Sequence, residues 1–316
     1  MKPFPSIPDV EAAPASLLDG GHLWLQELVD GALVRFQFQA SGMLRFGNRE
    51  RVFSADEIPA PCRHAVRHLR ENVDRAALRA AVDDVESVVF FGVATHEHAV
   101  DYDWERTPSF LGHDVWFADD ERFLPPDAVE KIYHRLGLHP VNAFQKEVRA
   151  VDFAPDSYDI PGSNWYDGPA AGVVVRNKRG VRAALANPDL LVSDEPETTE
   201  NVSGPADDPE PVHASGPADD PKAVGASGAD DVPELVDASA AELARRYATD
   251  RRFQRVADEL EATHQSVTAD AVFERVFECV VREEHRQLFL GHHDLDEGAF
   301  RSELASLTQQ FVANRD

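Results

Sequence analysis

A twelve-residue repeat interrupts the chain after Leu191 and limits what its 316 residues can fold into. Residues 203–214 read SGPADDPEPVHA, residues 215–226 read SGPADDPKAVGA, and residues 227–238 read SGADDVPELVDA. The stretch 194–238 holds 13 Asp and Glu against one Lys, with almost no aromatic or β-branched pattern, so it cannot bury a face. We predict an acidic disordered repeat linker at 194–238, between a first domain at 1–193 and a helical C-terminal domain at 239–316.

The composition excludes several classes of protein. The net charge is -26, and only five of the 31 cationic residues are lysine, which excludes a generally basic nucleic-acid coat protein and indicates a halophilic, acidic protein. Two cysteines, Cys62 and Cys279, cannot form a disulfide framework or a four-thiolate zinc site. Because no long apolar run and no apolar signal core are present, we expect no membrane partner and a cytoplasmic location.

The apolar patterning of the first domain predicts a mixed α+β fold in which strands outnumber helices. Short strand-like runs lie at 23–28, 32–39, 88–93, 114–117 and 172–176. Helical patterns lie at roughly 62–84 and 127–136.

Residues 239–316 predict helices. Ser239 followed by Glu242 is a capping-box signature, and apolar residues then recur at near-helical spacing. A second stripe begins at Val272, and a third helix is predicted to start near Asp294.

Five stretches of the first domain occur in an order that resembles a known enzyme family. They are WLQELVDGALVRF (24–36), FGNRERVF (46–53), VVFFGVATHEHAVDYD (88–103), FLGHDVW (110–116) and WYDGPAAGVVVRNKRGVR (165–182). Together they resemble the adenylyltransferase domain of ATP-dependent RNA ligases, in the RNA ligase 2-like branch of the covalent nucleotidyltransferases. The resemblance implies a nucleotidyltransferase domain of ATP-grasp-like antiparallel sheets, followed by a small all-α C-terminal domain.

The resemblance also implies a chemistry. In that family a strand-end lysine attacks the α-phosphate of ATP, and the AMP passes to an RNA 5′-phosphate before a 3′-hydroxyl displaces it. ATP, Mg²⁺ and RNA ends are therefore the implied cofactors and partners. A neutral, desolvated amine is the nucleophile that such a step needs.

The reactive residues of that family are missing here. Its Lys-x-Asp-Gly motif corresponds to residues 28–31, where Leu28 takes the place of the nucleophile. The other family positions that carry charge are occupied by aliphatic residues: Val93 and Ala171 for two carboxylates, and Ala184 and Ala186 for two lysines. Salt adaptation replaces surface lysines with Arg, Asp or Glu, so it does not explain aliphatic residues. We predict a pseudoenzyme that cannot form lysyl-AMP and so requires neither ATP nor Mg²⁺.

Some matching positions keep polar side chains. The resemblance assigns nucleotide binding to six residues, with His113 at the adenine-stacking position: Asp30, Gly31, Arg35, Arg49, His113 and Arg176.

A group of arginines begins the helical domain, and we assign RNA binding to four of them: Arg245, Arg246, Arg251 and Arg252. The alternative is a surface paired with Asp250, Asp258 and Glu259.

Residues 96–98, His-Glu-His, with Asp101 and Asp103, have metal-ligand side chains. A structural role is favoured for them, and no metal site is predicted.

Three hypotheses follow. The favoured one is an RNA-ligase-like pseudoenzyme that binds nucleotide or RNA ends. The second is an active ATP-dependent RNA ligase that seals 3′-hydroxyl and 5′-phosphate ends through other groups. The third is a protein-interaction module that uses the linker or the helical domain.

Overall fold

The computed structural model describes residues 1–54, 57–190, 238–290 and 295–315. The predicted linker lies outside the described residues except for its last position. The described residues on both sides of it belong to one compact unit. The proposed domain limits at 193 and 239 stay a prediction.

The first sheet is antiparallel and places its strands in the order β10–β9–β1–β8. Its strands are β1 (His22–Glu27), β8 (Ala143–Arg149), β9 (Gly172–Asn177) and β10 (Arg182–Ala186).

The second sheet has the order β3–β2–β4–β5–β6, with β7 added in parallel to β5. Its strands are β2 (Ala32–Phe38), β3 (Leu44–Gly47), β4 (Val88–Ala94), β5 (Phe110–Phe117), β6 (Arg122–Phe123) and β7 (His139–Pro140).

Three helices accompany the sheets: α1 (Ala60–Asn72), α2 (Arg75–Arg79) and α3 (Pro126–Arg135). Most of the stretch predicted as helical over 62–84 is helical, but it is divided into two helices, α1 and α2. Asp74 separates them, because its side chain accepts a hydrogen bond from the Ala77 amide at 2.9 Å and caps α2.

The C-terminal part is helical, as predicted. It contains α4 (Ala240–Tyr247), α5 (Asp250–Ala262), α6 (Ala269–Glu283) and α7 (Glu297–Arg315), with one π-helical turn at Arg286–Leu290. The capping box of Ser239 and Glu242 is formed. A second cap was missed: the Thr249 side chain accepts from the Arg252 amide and starts a new helix.

Each sheet has an outer and an inner face because side chains alternate along a strand. Phe36, Phe38 and Phe90 pack outward from the second sheet into a core with α1 and α3. Leu23, Leu25 and similar residues pack outward from the first sheet into a separate core. The inner faces look toward each other, and we call the space between them the inter-sheet cleft. The predicted combination of antiparallel sheets and a helical C-terminal part is confirmed.

A buried ion triad joins the two sheets across the cleft. Asp114 of β5 accepts a hydrogen bond at 2.9 Å from Arg176 of β9, and its other carboxylate oxygen accepts from Arg182 of β10. The three side chains are between 1% and 6% exposed. Burial alone would raise the pKa of Asp114, but the two guanidinium groups outweigh it and lower the pKa to about 2.

None of the helices in the described part of the chain is both long and apolar enough to cross a membrane.

Removing the carboxylate of the triad should destabilise the fold. In Asp114→Ala the two buried arginines lose their shared partner, so the free energy of unfolding should fall by about 3–5 kcal/mol. Denaturant unfolding measures the loss. The control is Asp120→Ala, which breaks an exposed pair with Arg122 and should cost less than about 1 kcal/mol. Equal, small losses in both variants would contradict a stabilising triad.

The triad should also appear in acid unfolding. Because folding lowers the pKa of Asp114 from its ordinary 3.8 to about 2, the ionised carboxylate stabilises the folded state above pH 3.8. This contribution is lost as the pH falls through 3.8 toward 2. Asp114→Asn should therefore lose stability less steeply than the parent in this range, as followed by circular dichroism. Parallel curves would assign the acid sensitivity to other groups.

Candidate functional site

The position of the missing nucleophile lies where β1 ends. The Leu28 amide donates to the carbonyl of Gly172 at 3.0 Å, and a Cβ on Gly172 would lie 3.0 Å from Leu28 Cδ2. Gly172 also pairs with Ala186 of β10. The structure therefore places Leu28 and Ala186, two positions that the resemblance assigns to lysines, beside the same glycine.

The two positions assigned to carboxylates share one apolar cluster. Ala171 is 2% exposed within it, and Val93 packs against it. Val93 also lies against Gly31, where a Cβ would come within 2.7 Å of Val93 Cγ1 and 2.5 Å of the Ala94 carbonyl oxygen. Gly31 has a φ of 144°, which favours glycine. The lining here is aliphatic and aromatic.

Ala184 lies two residues before Ala186 on β10, so the two share the cleft face. Its amide donates to the carbonyl of Pro8 at 2.8 Å, and it forms a bridge with Asp9. The fifth replaced position is thus covered by the start of the chain.

The lysines of the described residues lie against other groups. Their partners are the Trp116 ring for Lys2, Asp127 for Lys131, Glu130 for Lys146 and Glu147 for Lys178. Lys222 lies outside the described residues.

Asp30 fastens the segment that follows β4. Its carboxylate accepts hydrogen bonds from the amides of Ala99 at 2.6 Å and Val100 at 2.9 Å, and His98 Nδ1 lies 3.3 Å away. Burial alone would raise the pKa of Asp30, but these bonds outweigh it and lower the pKa. The carboxylate that the resemblance assigns to nucleotide binding is therefore already bonded within the protein.

Two of the retained arginines lie along the second sheet. Arg35 is 1% exposed and donates to the carbonyls of Met1 at 3.3 Å and Glu50 at 3.0 Å. Arg49 is exposed, and its carbonyl accepts from the amide of Phe4 at 3.4 Å.

The remaining two residues of the nucleotide-binding set are Arg176, a member of the buried ion triad, and His113, which precedes Asp114 in the chain. Arg176 donates to the carbonyl of His113 at 2.7 Å as well as to Asp114. The His113 ring lies 4.9 Å from the ring of Phe4, in an edge-on arrangement. Sequence reasoning missed Asp114, although it sits inside the FLGHDVW stretch.

Glu27, next to Leu28, is a buried carboxylate whose surroundings the sequence did not reveal. It accepts from the Ser163 hydroxyl at 2.6 Å and from the Asn164 amide at 3.2 Å. Burial raises its pKa. These hydrogen bonds hold the Glu27 carboxylate against residues 163–164.

The side chains of residues 96–98 lie against other groups of the protein. His96 Nδ1 lies 3.2 Å from the Ala94 carbonyl, and Glu97 accepts from the Arg286 amide at 3.2 Å. Burial, together with Asp101 and Glu284, raises the pKa of Glu97 to about 7. Across the described ranges, no three His, Cys, Asp or Glu side chains are grouped so that they could hold a metal ion.

The arginines of the helical part are mostly ion-paired. Arg245 pairs with Glu303, Arg251 with Glu105, and Arg252 with Glu283 and Glu284, whereas Arg246 lies over the Tyr247 ring. The partners are not Asp250, Asp258 and Glu259, which the sequence suggested. Most of this charge is neutralised by carboxylates distant in sequence.

A second group of arginines has no such neutralisation. Residues 41–80 hold eight arginines and five carboxylates, and of these arginines Arg67 pairs with Glu71 and Glu278. The other seven pair with no carboxylate of the described residues. We call them the arginine edge: Arg45, Arg49, Arg51, Arg63, Arg70, Arg75 and Arg79.

Three members of the arginine edge, Arg45, Arg49 and Arg51, lie in or directly after β3, an edge strand of the second sheet, and the other four lie on α1 and α2. Arg70 lies over the Phe46 ring at 5.4 Å, and Arg79 reaches Gly42 in the β2–β3 turn. Arg75 donates to the Arg70 carbonyl at 2.9 Å. An excess of arginine over carboxylate in residues 41–80 was the sequence signal that could have revealed it.

Comparison with known proteins agrees with the motif order. The family model for RNA ligase matches residues 21–187, just over half of the chain. No curated protein matches the chain.

Solved structures give remote matches. A Naegleria gruberi RNA ligase mutant with ATP and Mn is 12% identical at a TM-score of 0.47, over 60% of this chain and 57% of that one. The same enzyme with pyrophosphate is 11% identical at a TM-score of 0.46, over 60% of this chain and 56% of that one. An archaeal ATP-dependent RNA ligase is 15% identical at a TM-score of 0.45, over 100% of this chain and 65% of that one.

This chain thus spans less than two thirds of the length of these solved ligases. On the family match over residues 21–187, the chain belongs to the RNA ligase family.

Proposed function

We propose that this RNA ligase family protein forms no lysyl-AMP and acts as an RNA-binding pseudoenzyme. The observation that carries the proposal is the contact of Leu28 with Gly172, the β10 partner of which is Ala186, at the place where the family resemblance puts its nucleophile. A leucine has no lone pair with which to attack phosphorus, and the lysines of the described residues lie against other partners.

The residues of the cleft do not suit a catalytic magnesium ion. Mg²⁺ binds through carboxylate and phosphate oxygens in a strict octahedron. Here Val93 and Ala171 lie in one apolar cluster at the two carboxylate positions.

Replacement of the whole charge set is energetically reasonable. Removing one member of a buried charge network leaves its partners unpaired, at a cost of about 3–5 kcal/mol. Exchanging the complete set for apolar groups can be neutral or stabilising by about 1–4 kcal/mol. The apolar surroundings of Val93 and Ala171 match the second case.

RNA binding is proposed for the arginine edge. Arginines without carboxylate partners are free to neutralise phosphates and release counterions. The arginines of α4 and α5 would first have to leave Glu283, Glu284, Glu303 or Glu105. We therefore rank them below the edge as RNA-binding groups, with Arg246 as the best placed of the four.

We also propose a salt-rich cytoplasm as the setting of this protein. The support is 57 acidic against 31 basic residues, with five lysines.

Incubation with α-labelled ATP and divalent metals at high salt tests the loss of chemistry. We expect no covalent label on the parent protein, because no amine stands at residue 28. A label would contradict the proposal and favour an active RNA ligase, and mass spectrometry would then identify the modified residue.

Restoring the charge set should restore labelling. The variant carries Leu28→Lys, Val93→Glu, Ala171→Glu, Ala184→Lys and Ala186→Lys together, and we expect adenylylation in the same assay. The control carries Leu28→Met with the same four other changes and should stay silent. A folded but unlabelled five-fold variant would show that these positions do not form the family's site.

The salt dependence of RNA binding locates the surface that binds RNA. Replacing Arg49, Arg70 and Arg79 with alanine should reduce the slope of log K against log salt by about one for each phosphate that is no longer neutralised. The matched control replaces Arg245, Arg246 and Arg251 and should change the slope less. If only the control flattens the slope, RNA binds the helical part. If the parent binds no RNA, the protein-interaction module remains.

A further inference from the structure

Residues 1–8, which we call the N-terminal segment, run along the inter-sheet cleft, and Phe4 is the one buried residue among them. Its central side chain, Phe4, is 3% exposed. The Phe4 ring lies 5.1 Å from Phe91 of β4, 4.9 Å from His113 of β5 and 5.9 Å from Phe123 of β6. From the opposite sheet, the Arg182 guanidinium lies 5.3 Å from the same ring. Phe4 thus fills the space between the two sheets.

The backbone of the segment runs across the cleft from the second sheet to the first. At one end the Met1 carbonyl accepts from Arg35 of β2, and the Phe4 amide donates to the Arg49 carbonyl. At the other end the Pro8 carbonyl accepts from the Ala184 amide of β10 at 2.8 Å.

These contacts coincide with the predicted nucleotide site. Arg35, Arg49 and His113 were assigned to that site from the family resemblance, with His113 against the base, and Ala184 stands at one of the replaced lysine positions. All four contact the N-terminal segment or the adjoining Asp9. The Phe4 ring therefore lies edge-on to His113, at the position that the resemblance assigns to base stacking, and the Met1 carbonyl accepts one hydrogen bond from Arg35.

The N-terminal segment is not part of a helix or a sheet. Pro3, Pro5 and Pro8 have no amide hydrogen, and no regular helix or strand covers residues 1–8. The buried Phe4 ring, the half-buried Met1 and Ile7 beside it, the contact of Lys2 with Trp116 and a few backbone bonds hold it. Such a segment can leave the cleft without unfolding the sheets on either side.

We propose that the N-terminal segment is an intramolecular occupant of the nucleotide cleft, with the Phe4 ring in the place of the purine, and that it excludes free nucleotide. The proposal rests on the proposed function only in taking the cleft to be the family's nucleotide site. Because the segment is tethered, its effective concentration is on the order of millimolar, so it outcompetes a weakly held ligand.

The test compares reversible ATP binding, without divalent metal, by the full chain, Phe4→Ala and a variant lacking residues 1–8. Loss of the buried Phe4 side chain lowers the equilibrium constant for occupancy of the cleft by the N-terminal segment by roughly 10- to 100-fold. Both variants should therefore bind ATP at least ~10-fold more tightly than the parent. A synthetic peptide of sequence MKPFPSIP should compete with ATP on the shortened variant.

Two controls separate occupancy from general loosening. Phe153→Ala removes a buried aromatic residue from the outer core of the first sheet and should lower stability without raising ATP affinity. Pro5→Ala alters an exposed residue of the segment itself and should leave affinity unchanged. Unchanged ATP affinity in folded Phe4→Ala and in the shortened variant would overturn the proposal, as would an equal rise in Phe153→Ala.

A second measurement distinguishes failure of this proposal from failure of the proposed function. Adding Phe4→Ala to the variant with the five restored charged residues should increase its adenylylation. A covalent label on the parent chain would refute the proposal of a pseudoenzyme. Equal labelling of the restored variant with and without Phe4→Ala would refute the proposal that the N-terminal segment occupies the cleft.

Discussion

The carboxylate of Asp114 connects the two sheets, and the geometry of the cleft depends on it. It is bonded to guanidinium groups on two neighbouring strands of the opposite sheet, and all three charges are buried. Separating the sheets would leave one anion and two cations without their partners, so the distance between the inner faces is fixed. That fixed distance lets Phe4 contact both sheets, and Arg182 takes part in both interactions.

The sequence predicted much of the fold because alternating apolar runs and caps are local signals. The strands at 23–28 and 88–93 and the capping box at Ser239 needed no knowledge of distant residues. Other features depended on partners that no local pattern reveals. Arg176 was assigned to nucleotide because its carboxylate partner lies 62 residues away. Arg252 was assigned to RNA binding, with pairing to nearby carboxylates as the alternative, but its partner Glu283 lies 31 residues on. Phe4 stands among prolines with no periodicity, so nothing marked it as a core residue.

The five replaced motif positions fall into three local groups. Leu28 and Ala186 meet at Gly172, Val93 and Ala171 share one apolar cluster, and Ala184 is covered by Pro8 and Asp9. The retained polar residues have found internal partners as well, since Asp30 holds the amides of Ala99 and Val100. A cleft with buried polar groups and no partner for them would be costly. The packing of the two sheets and the arginine edge do not depend on the five replaced positions.

Arg282 of α6 connects the C-terminal helices to the part of the chain that carries the two sheets. Its guanidinium donates to the carbonyl and hydroxyl of Thr95 and to the carbonyl of Thr107, which bracket the segment that Asp30 holds from the other side. A lysine could not reproduce these forked bonds. Two of these three acceptors are backbone carbonyls, which any residue at positions 95 and 107 would supply, so the link between α6 and the first part of the chain tolerates substitution on the acceptor side and depends on the arginine itself.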